Sequence, residues 1–148
     1  MSTLYSFLHP VKTTVEKEVI ISDRFVQMDE KGNPVLDEEG RTIPIPFKIR
    51  ALSQEENDAL IRKSTVTEIK NNQRLEYLDA TDYSHRIMVA STVFPDFTSK
   101  EMCDGYGVVD PLLVPGKMLN VGEYNRLASE IQGLSDLDIQ KKEDEEKN

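Results

Sequence analysis

One stretch decides the fold of this chain: residues 83–94, Tyr-Ser-His-Arg-Ile-Met-Val-Ala-Ser-Thr-Val-Phe. At about 100° per residue, its apolar side chains fall on one broad helical face about 160° wide: Tyr83, Ile87, Val89, Ala90, Val93 and Phe94. Met88 lies almost opposite that face, so we expect the helix to be covered on two sides. Asp79, Thr81 or Asp82 can cap its start, and Pro95 ends it. We therefore predict that this is the central helix of one small core.

Three further helices are indicated on either side of the central one. Ser53-Gln54-Glu55-Glu56 has the pattern of a capping box and starts a surface helix. A second capping box, Thr98-Ser99-Lys100-Glu101, opens a short helix that ends near Gly105. The segment Glu123–Gln132 is amphipathic, and Gly133 can end it. A further short helix after Asp110-Pro111 would bring the total to four or five.

The N-terminal third predicts β-structure. Thr13–Phe25 reads as a strand in which apolar and polar residues alternate around Val19. Phe47–Leu52 reads as a second strand, with Phe47, Ile49 and Ala51 on one face, and we expect the two strands to pair antiparallel. The fold class is therefore α+β, with a mainly helical body of four or five helices and a small antiparallel β-sheet or hairpin from the N-terminal third.

We divide the chain into three parts. Residues 1–12 form an N-terminal arm with apolar residues that either pack on the body or hook onto a neighbouring copy. Residues 13–137 form one domain, with strands and a turn-rich insert over 13–52 and helices over 53–137. The insert, near residues 27–46, is either a small exposed hairpin or a loop. Residues 138–148 form an acidic tail that we expect to be disordered.

Charge and cysteine content exclude several functions. The net charge is −9, of which residues 29–41 and 136–148 each contribute −3 and the remainder −3. A protein without a basic face is a poor nucleic-acid binder, so we expect no nucleic-acid partner. Cys103 is the single cysteine, which excludes an internal disulfide, and we expect it to be a small buried hydrophobe. No apolar run approaches ~18 residues and no signal peptide is evident, so we expect no membrane partner and a cytoplasmic location.

No arrangement of residues in the sequence points to catalysis. The two histidines, His9 and His85, are far apart in sequence, and Gly105-Tyr106-Gly107 lacks the Lys-Ser/Thr of a phosphate loop. The acids of the insert lack EF-hand spacing, so calcium is not expected. We predict no catalytic residue, no cofactor and no metal.

Three polar residues on the helices have ordinary structural explanations. Asn57 lies on the inward side of its helix and is expected to satisfy a backbone group. Arg86 falls inside the apolar stripe, where its stem can pack while its head reaches water or an acid. His85 faces away from the stripe and is expected to be solvated.

Three pieces of the sequence together resemble a known family. They are residues 46–57 (Pro-Phe-Lys-Ile-Arg-Ala-Leu-Ser-Gln-Glu-Glu-Asn), residues 87–95 (Ile-Met-Val-Ala-Ser-Thr-Val-Phe-Pro), and Tyr106-Gly107-Val108-Val109 with Lys117-Met118-Leu119 and Gly122-Glu123-Tyr124. Their order and spacing resemble the XkdN-like phage tail assembly chaperones of Firmicute prophages. The resemblance runs from about Leu4 to Leu137, although the insert at Gln27–Ile45 is longer than in that family.

The resemblance implies a non-enzymatic function in phage tail morphogenesis. Such chaperones bind the tape measure protein, keep it soluble, help to recruit tail tube subunits, and are absent from the mature virion. Self-association is possible. We predict an apolar protein-binding surface that re-packs around varied sequences, although these residues could instead belong to the core. Its members are Tyr106, Val108, Val109, Leu112, Leu113, Met118, Leu119 and Tyr124.

Two other functions are weighed against this one. A structural tail component, such as a tube or terminator subunit, would be mainly β, whereas helices are predicted to dominate after Ser53. A small hydrolase or transferase would need converging acid, base or nucleophilic groups.

Overall fold

Six α-helices and five β-strands form the part of the chain that this computed structural model describes, which is residues 3–11 and 15–147, with side chains to Ser135. The helices are α1 Thr3–Leu8, α2 Gln54–Ser64, α3 Ala80–Ser91, α4 Lys100–Gly105, α5 Val114–Met118 and α6 Val121–Lys147, with a 3-10 turn at Pro111–Leu113. The strands are β1 Glu16–Val19, β2 Phe47–Arg50, β3 Thr65–Lys70, β4 Gln73–Leu78 and β5 Thr92–Phe94. The predicted α+β class is confirmed.

The main sheet has three strands in the order β1-β2-β5. β1 and β2 pair antiparallel, as predicted, and their register places Val19 opposite Phe47. The first strand ends at Val19 and does not continue to Phe25 as expected. Phe47 and Ile49 are buried on one face of β2, whereas Lys48 lies on the other. Because successive side chains of a strand alternate between faces, the sheet covers the core with one side.

The central helix α3 is shorter than predicted. Its N-cap is Asp79, one of the three expected candidates, but the helix ends at Ser91 and not at Phe94. The Thr92 hydroxyl donates to the Met88 carbonyl at 2.8 Å, and Thr92–Phe94 becomes β5 on the free edge of β2. The buried side chains of α3 are Met88 and Ser91, so the side that we placed opposite the stripe is the one that faces the core.

A β-hairpin that the sequence did not predict stands between α2 and α3. β3 and β4 pair over six residues each, and Asn71 and Asn72 form the turn with φ of 53° and 62°. Two consecutive positive φ values match the tight turns that suit the twist of hairpins. Every residue of the hairpin is exposed except Val66, which is half-buried. The strands were missed because neither buries an apolar face that would produce a clear alternation.

The insert before β2 consists of two similar tight turns. Asp29 Oδ1 accepts from the amides of Lys31 and Asn33, and Asp37 Oδ1 accepts in the same way from Glu39 and Arg41. A bridge between Val26 and Pro44 closes the base of the pair. The insert is therefore an exposed, hairpin-like segment held by isolated bridges, which agrees with the predicted small exposed hairpin.

Outside α3, the sequence correctly predicts two of three helix caps. The Ser53–Glu56 capping box starts α2 as predicted. Asp110 caps the 3-10 turn. The second predicted capping box is wrong by one residue, because α4 is capped by Ser99, whose hydroxyl accepts from the Met102 amide, and not by Thr98.

The last helix is longer than predicted. We expected it to end at Gly133, but α6 continues to Lys147 and includes most of the segment predicted as a disordered tail. The domain boundary at residue 138 stays a prediction. The described part of α6 contributes Leu127, Ile131 and Leu134 to the core. The remaining buried apolar residues are Val19, Ile21, Phe47, Ile49, Met88, Phe97, Cys103, Val114 and Leu119.

Candidate functional site

A groove of about 690 Å³ lies between α2, α3 and α6. Among the described residues that line it, none is charged, although 30% of the whole chain is. They are Leu52, Ser53, Gln54, Asn57, Tyr83, Ser84, Ile87, Met88, Ser91, Tyr124, Asn125, Ala128, Ile131, Gln132 and Ser135. We call this feature the α2–α3–α6 groove.

The groove has an apolar floor and an amide-rich rim. Met88 and Ile131 are buried at the floor, because α3 and α6 each direct one face into the core. Gln54, Asn125 and Gln132 are exposed along the rim. Concave sites with apolar walls and a few placed polar groups are typical of ligand and peptide sites, and ~300–1,000 Å³ is their usual size.

One hydrogen bond joins two walls of the groove. The Tyr83 hydroxyl on α3 donates to Asn57 Oδ1 on α2. The prediction that Asn57 satisfies a backbone group is therefore wrong: it bonds a side chain and holds α2 against α3. The two residues were both singled out in the sequence, but their 26-residue separation gave no signal that they meet.

Two buried hydroxyl groups of the groove have no hydrogen-bond partner within the described part of the protein. These are Ser91 Oγ, on a side chain that is 0% exposed, and the Tyr124 hydroxyl. Burial raises the pKa of the Tyr124 phenol, so it stays a neutral donor. A buried unpaired hydroxyl is costly, and because both oxygens are shielded from solvent, a bound segment reaches them only if the groove rearranges.

A second cavity, of about 520 Å³, lies beside the start of α6 and has a structural explanation. Glu123 is 7% exposed and accepts from the Arg24 guanidinium, with Arg24 Nε at 2.8 Å. Glu123 also accepts from the Asn120 amide, and the Asn120 side chain accepts in return from the Glu123 amide. The Arg24 guanidinium lowers the pKa of Glu123 to about 2. This cluster attaches α6 to the segment after β1.

The structure disperses the predicted protein-binding surface. Of its eight residues only Tyr124 is among the described residues that line the α2–α3–α6 groove. Leu119 is buried in the core at 8% exposure, and Val108 and Met118 pack partly against that core. Val109 is 97% exposed, and Tyr106, Leu112 and Leu113 lie at or near the surface. No measurement on this chain tests these residues as a binding surface, so they stay a prediction.

Two single-residue predictions are confirmed and one needs correction. Arg86 Nε donates to Asp82 at 2.7 Å, so its head does reach an acid, and Cys103 is buried. His85 is half-buried and not simply solvated, because its ring packs edge-on against Tyr124 with centroids 6.1 Å apart. His85 therefore helps to orient the Tyr124 side chain at the groove.

Metal binding and membrane insertion have no visible site in the described residues. Over residues 3–11 and 15–135, no three His, Cys, Asp or Glu side chains gather into a possible metal site. Within the same ranges, no helix combines the length and hydropathy that a membrane span requires. What the groove can do chemically is bind an uncharged segment by burial and a few hydrogen bonds.

Comparison with known proteins gives consistent matches along nearly the whole chain. The family described as phage XkdN-like tail assembly chaperone protein matches residues 4–147. Protein XkdN of the phage-like element PBSX, from Bacillus subtilis strain 168, is 38% identical over 97% of this chain and 93% of its own length. YqbN of the same strain is 37% identical over 97% of this chain and 92% of its own. The crystal structure of YqbN superposes with a TM-score of 0.62 at 30% identity, covering 87% of this chain and 92% of YqbN.

Proposed function

Because this chain belongs to the XkdN-like family of phage tail assembly chaperones, we propose that it binds and solubilises the tape measure protein while the tail is built. On this proposal it also helps to recruit tail tube subunits. It acts by binding alone, in the host cytoplasm, and leaves before the virion matures. We refer to the tape measure protein below as the client.

The observation that supports client binding is the α2–α3–α6 groove. Transferring a charge out of water is far more costly than transferring an apolar side chain, so an uncharged concave surface favours uncharged, apolar segments. An amphipathic helix binds such a groove through side chains spaced at i, i+3, i+4 and i+7. The long and partly apolar helix of a client offers such side chains repeatedly.

The rest of the surface suits the solubilising part of the function. The chain carries −9 net charge, while the described lining of the groove carries none. A copy bound to an apolar helix of the client therefore covers a surface that would otherwise aggregate, and it presents its own acidic surface to solvent. Like charge between coated complexes opposes their aggregation.

We propose that the client binds in the groove and not on the predicted protein-binding surface between Tyr106 and Tyr124. Leu119 lies in the core and cannot contact a partner without rearrangement. Tyr124 is common to both sets and lines the groove, with its hydroxyl oxygen buried. Exposed members such as Val109 and Leu113 are better placed for a second contact, of which tail tube recruitment is one example.

Co-expression with the client tests the proposal, with a charge placed in the groove. Ala128 is exposed on α6 at the groove, and Glu is a good helix former, so Ala128→Glu should fold and abolish client solubility. Ser129→Glu is the matched control, because Ser129 is exposed on the same helix outside the lining. We expect soluble client with the wild type and the control. An insoluble client in the presence of the wild type would refute the proposal.

Sedimentation of purified virions separates a chaperone from a structural tail component. A tube or terminator subunit would co-sediment with the particle at a fixed ratio to the other tail proteins. We expect this chain to be present in the lysate of the infected or induced cell and absent from the particle.

A further inference from the structure

The N-terminal arm presents an apolar stripe to solvent. Leu4, Phe7 and Leu8 occupy positions i, i+3 and i+4 of α1, and Val11 lies three residues after the helix ends. These side chains are 62%, 78%, 66% and 102% exposed. This spacing is the one by which an amphipathic helix binds an apolar groove.

An isolated arm of this kind has little reason to be helical. Helices shorter than about 12 residues are marginal in water, because the first turn costs more entropy than its hydrogen bonds return. In the described helix Thr3–Leu8 no residue is buried, so its own body does not stabilise it. The stripe therefore needs another surface on which to pack.

The α2–α3–α6 groove matches the arm in charge. Residues 1–11 contain no Asp, Glu, Lys or Arg, and the described lining of the groove contains none either. Docking one on the other would bury no charged side chain, which removes the largest cost of burial.

We propose that the arm of one copy docks through Leu4, Phe7 and Leu8 in the α2–α3–α6 groove of a second copy. We choose a second copy as the occupant for two reasons. In the structure α1 does not pack against its own body, and reciprocal exchange between two copies would bury two arms at once. Exchange of identical elements also produces the closed two-fold dimer that is commonest among homo-oligomers. Since each copy carries −9, salt should strengthen the dimer by screening repulsion.

One consequence of this inference rests on the proposed function, namely that the arm regulates binding of the client. The arm competes with the client for the groove, so the groove is covered until client is present. Arms released by client binding are then free to contact neighbouring copies along the client.

The first test uses the purified full-length protein without client. Mass is measured by light scattering and sedimentation over a range of concentrations and salt. We expect a dimer, with Phe7→Asp raising the dissociation constant about tenfold or more. Ser6→Asp is the control, since it adds the same charge to exposed α1 away from the stripe. A monomeric wild type, or a Phe7→Asp mass equal to that of the wild type, would overturn the proposal.

The second test asks whether the arm binds another copy. Phe7→Asp has an intact groove and Ala128→Glu an intact arm, so mixing the two variants should restore a heterodimer. A protein with His9→Cys and Ser84→Cys, made with two tags of different length, should form disulfides between the two tagged forms, because His9 is exposed on the arm outside the stripe. Cys103 is buried, which keeps the background low. Disulfides confined to single chains would show docking on the chain's own groove and refute the exchange.

The two proposals fail in different ways. If Phe7→Asp leaves the mass unchanged while Ala128→Glu abolishes client solubility, the arm inference falls and the proposed function stands. If Ala128→Glu abolishes the dimer while the client stays soluble, arm docking stands and the client binds elsewhere.

Discussion

Glu123→Gln is the substitution that most directly tests how the start of α6 is held. The side chain keeps its size, and Gln Oε1 can still accept from the Asn120 amide. What is lost is the charge-assisted pairing with Arg24. The effect on stability can therefore be attributed to that ion pair and not to loss of the helix cap.

The size of the effect follows from the pKa of Glu123. The fall of this pKa from 4.5 to about 2 corresponds to a stabilisation of at most about 3 kcal/mol, at 1.36 kcal/mol for each pKa unit. The Arg24 side chain is 50% exposed, so solvent screening reduces the contribution. We expect Glu123→Gln to lower the free energy of unfolding by about 1–2 kcal/mol at pH 7, with a fall in Tm of about 3–6 °C.

The pH dependence has a definite sign. The pKa of Glu123 is lower in the folded state, so its contribution is fully present above about pH 4.5 and is lost as the pH falls toward 2. The stability difference between wild type and Glu123→Gln should be constant from pH 7 to 5 and then shrink. The other acidic residues titrate in the same way in both proteins, so their contributions cancel in the stability difference.

Denaturant unfolding followed by circular dichroism, at several pH values, measures this difference. Glu130→Gln is the control, because Glu130 is also on α6 and pairs with Lys17, but both side chains are well exposed. We expect a change under about 0.5 kcal/mol for the control. A Glu123→Gln protein as stable as the wild type at pH 7, or a difference that persists at pH 2, would refute the reasoning.

Three further predictions concern stability. Ser53→Ala removes the cap of α2 and should cost about 1 kcal/mol in denaturant unfolding; no loss would contradict the capping box. Leu127→Ala opens a fully buried site and should cost about 2–5 kcal/mol by the same assay, whereas Val121→Ala, at 79% exposure, should cost under about 0.5. Asn72→Ala strains a turn residue at φ 62° by about 1 kcal/mol, so amide exchange should quicken across β3–β4 and stay unchanged in α3.

Much of the fold was open to prediction from local chemistry. The capping box at Ser53 was identified from four adjacent residues, and the strands around Val19 and Phe47 were each identified from a short alternation of apolar and polar residues. Each depends on backbone preferences or on a single apolar face. Such signals are local, so a short window contains them.

The errors have a different cause. Thr92–Phe94 continued the helical pattern of α3, and it is a strand because β2 has a free edge beside it. The same reasoning explains the core-facing side of α3, since Met88 is buried by elements distant in sequence. The strands of the hairpin gave no pattern because no partner surface covers them.

The sequence by itself determined the fold class, most element positions, the acidic character and the family resemblance. Tertiary structure alone decided which residues form the groove, because its three walls come from helices separated by many residues. The lack of charge among the described lining residues is invisible along the chain, since charged residues are interspersed with uncharged ones on α2, α3 and α6. Only packing turns the uncharged faces of α2, α3 and α6 toward one another.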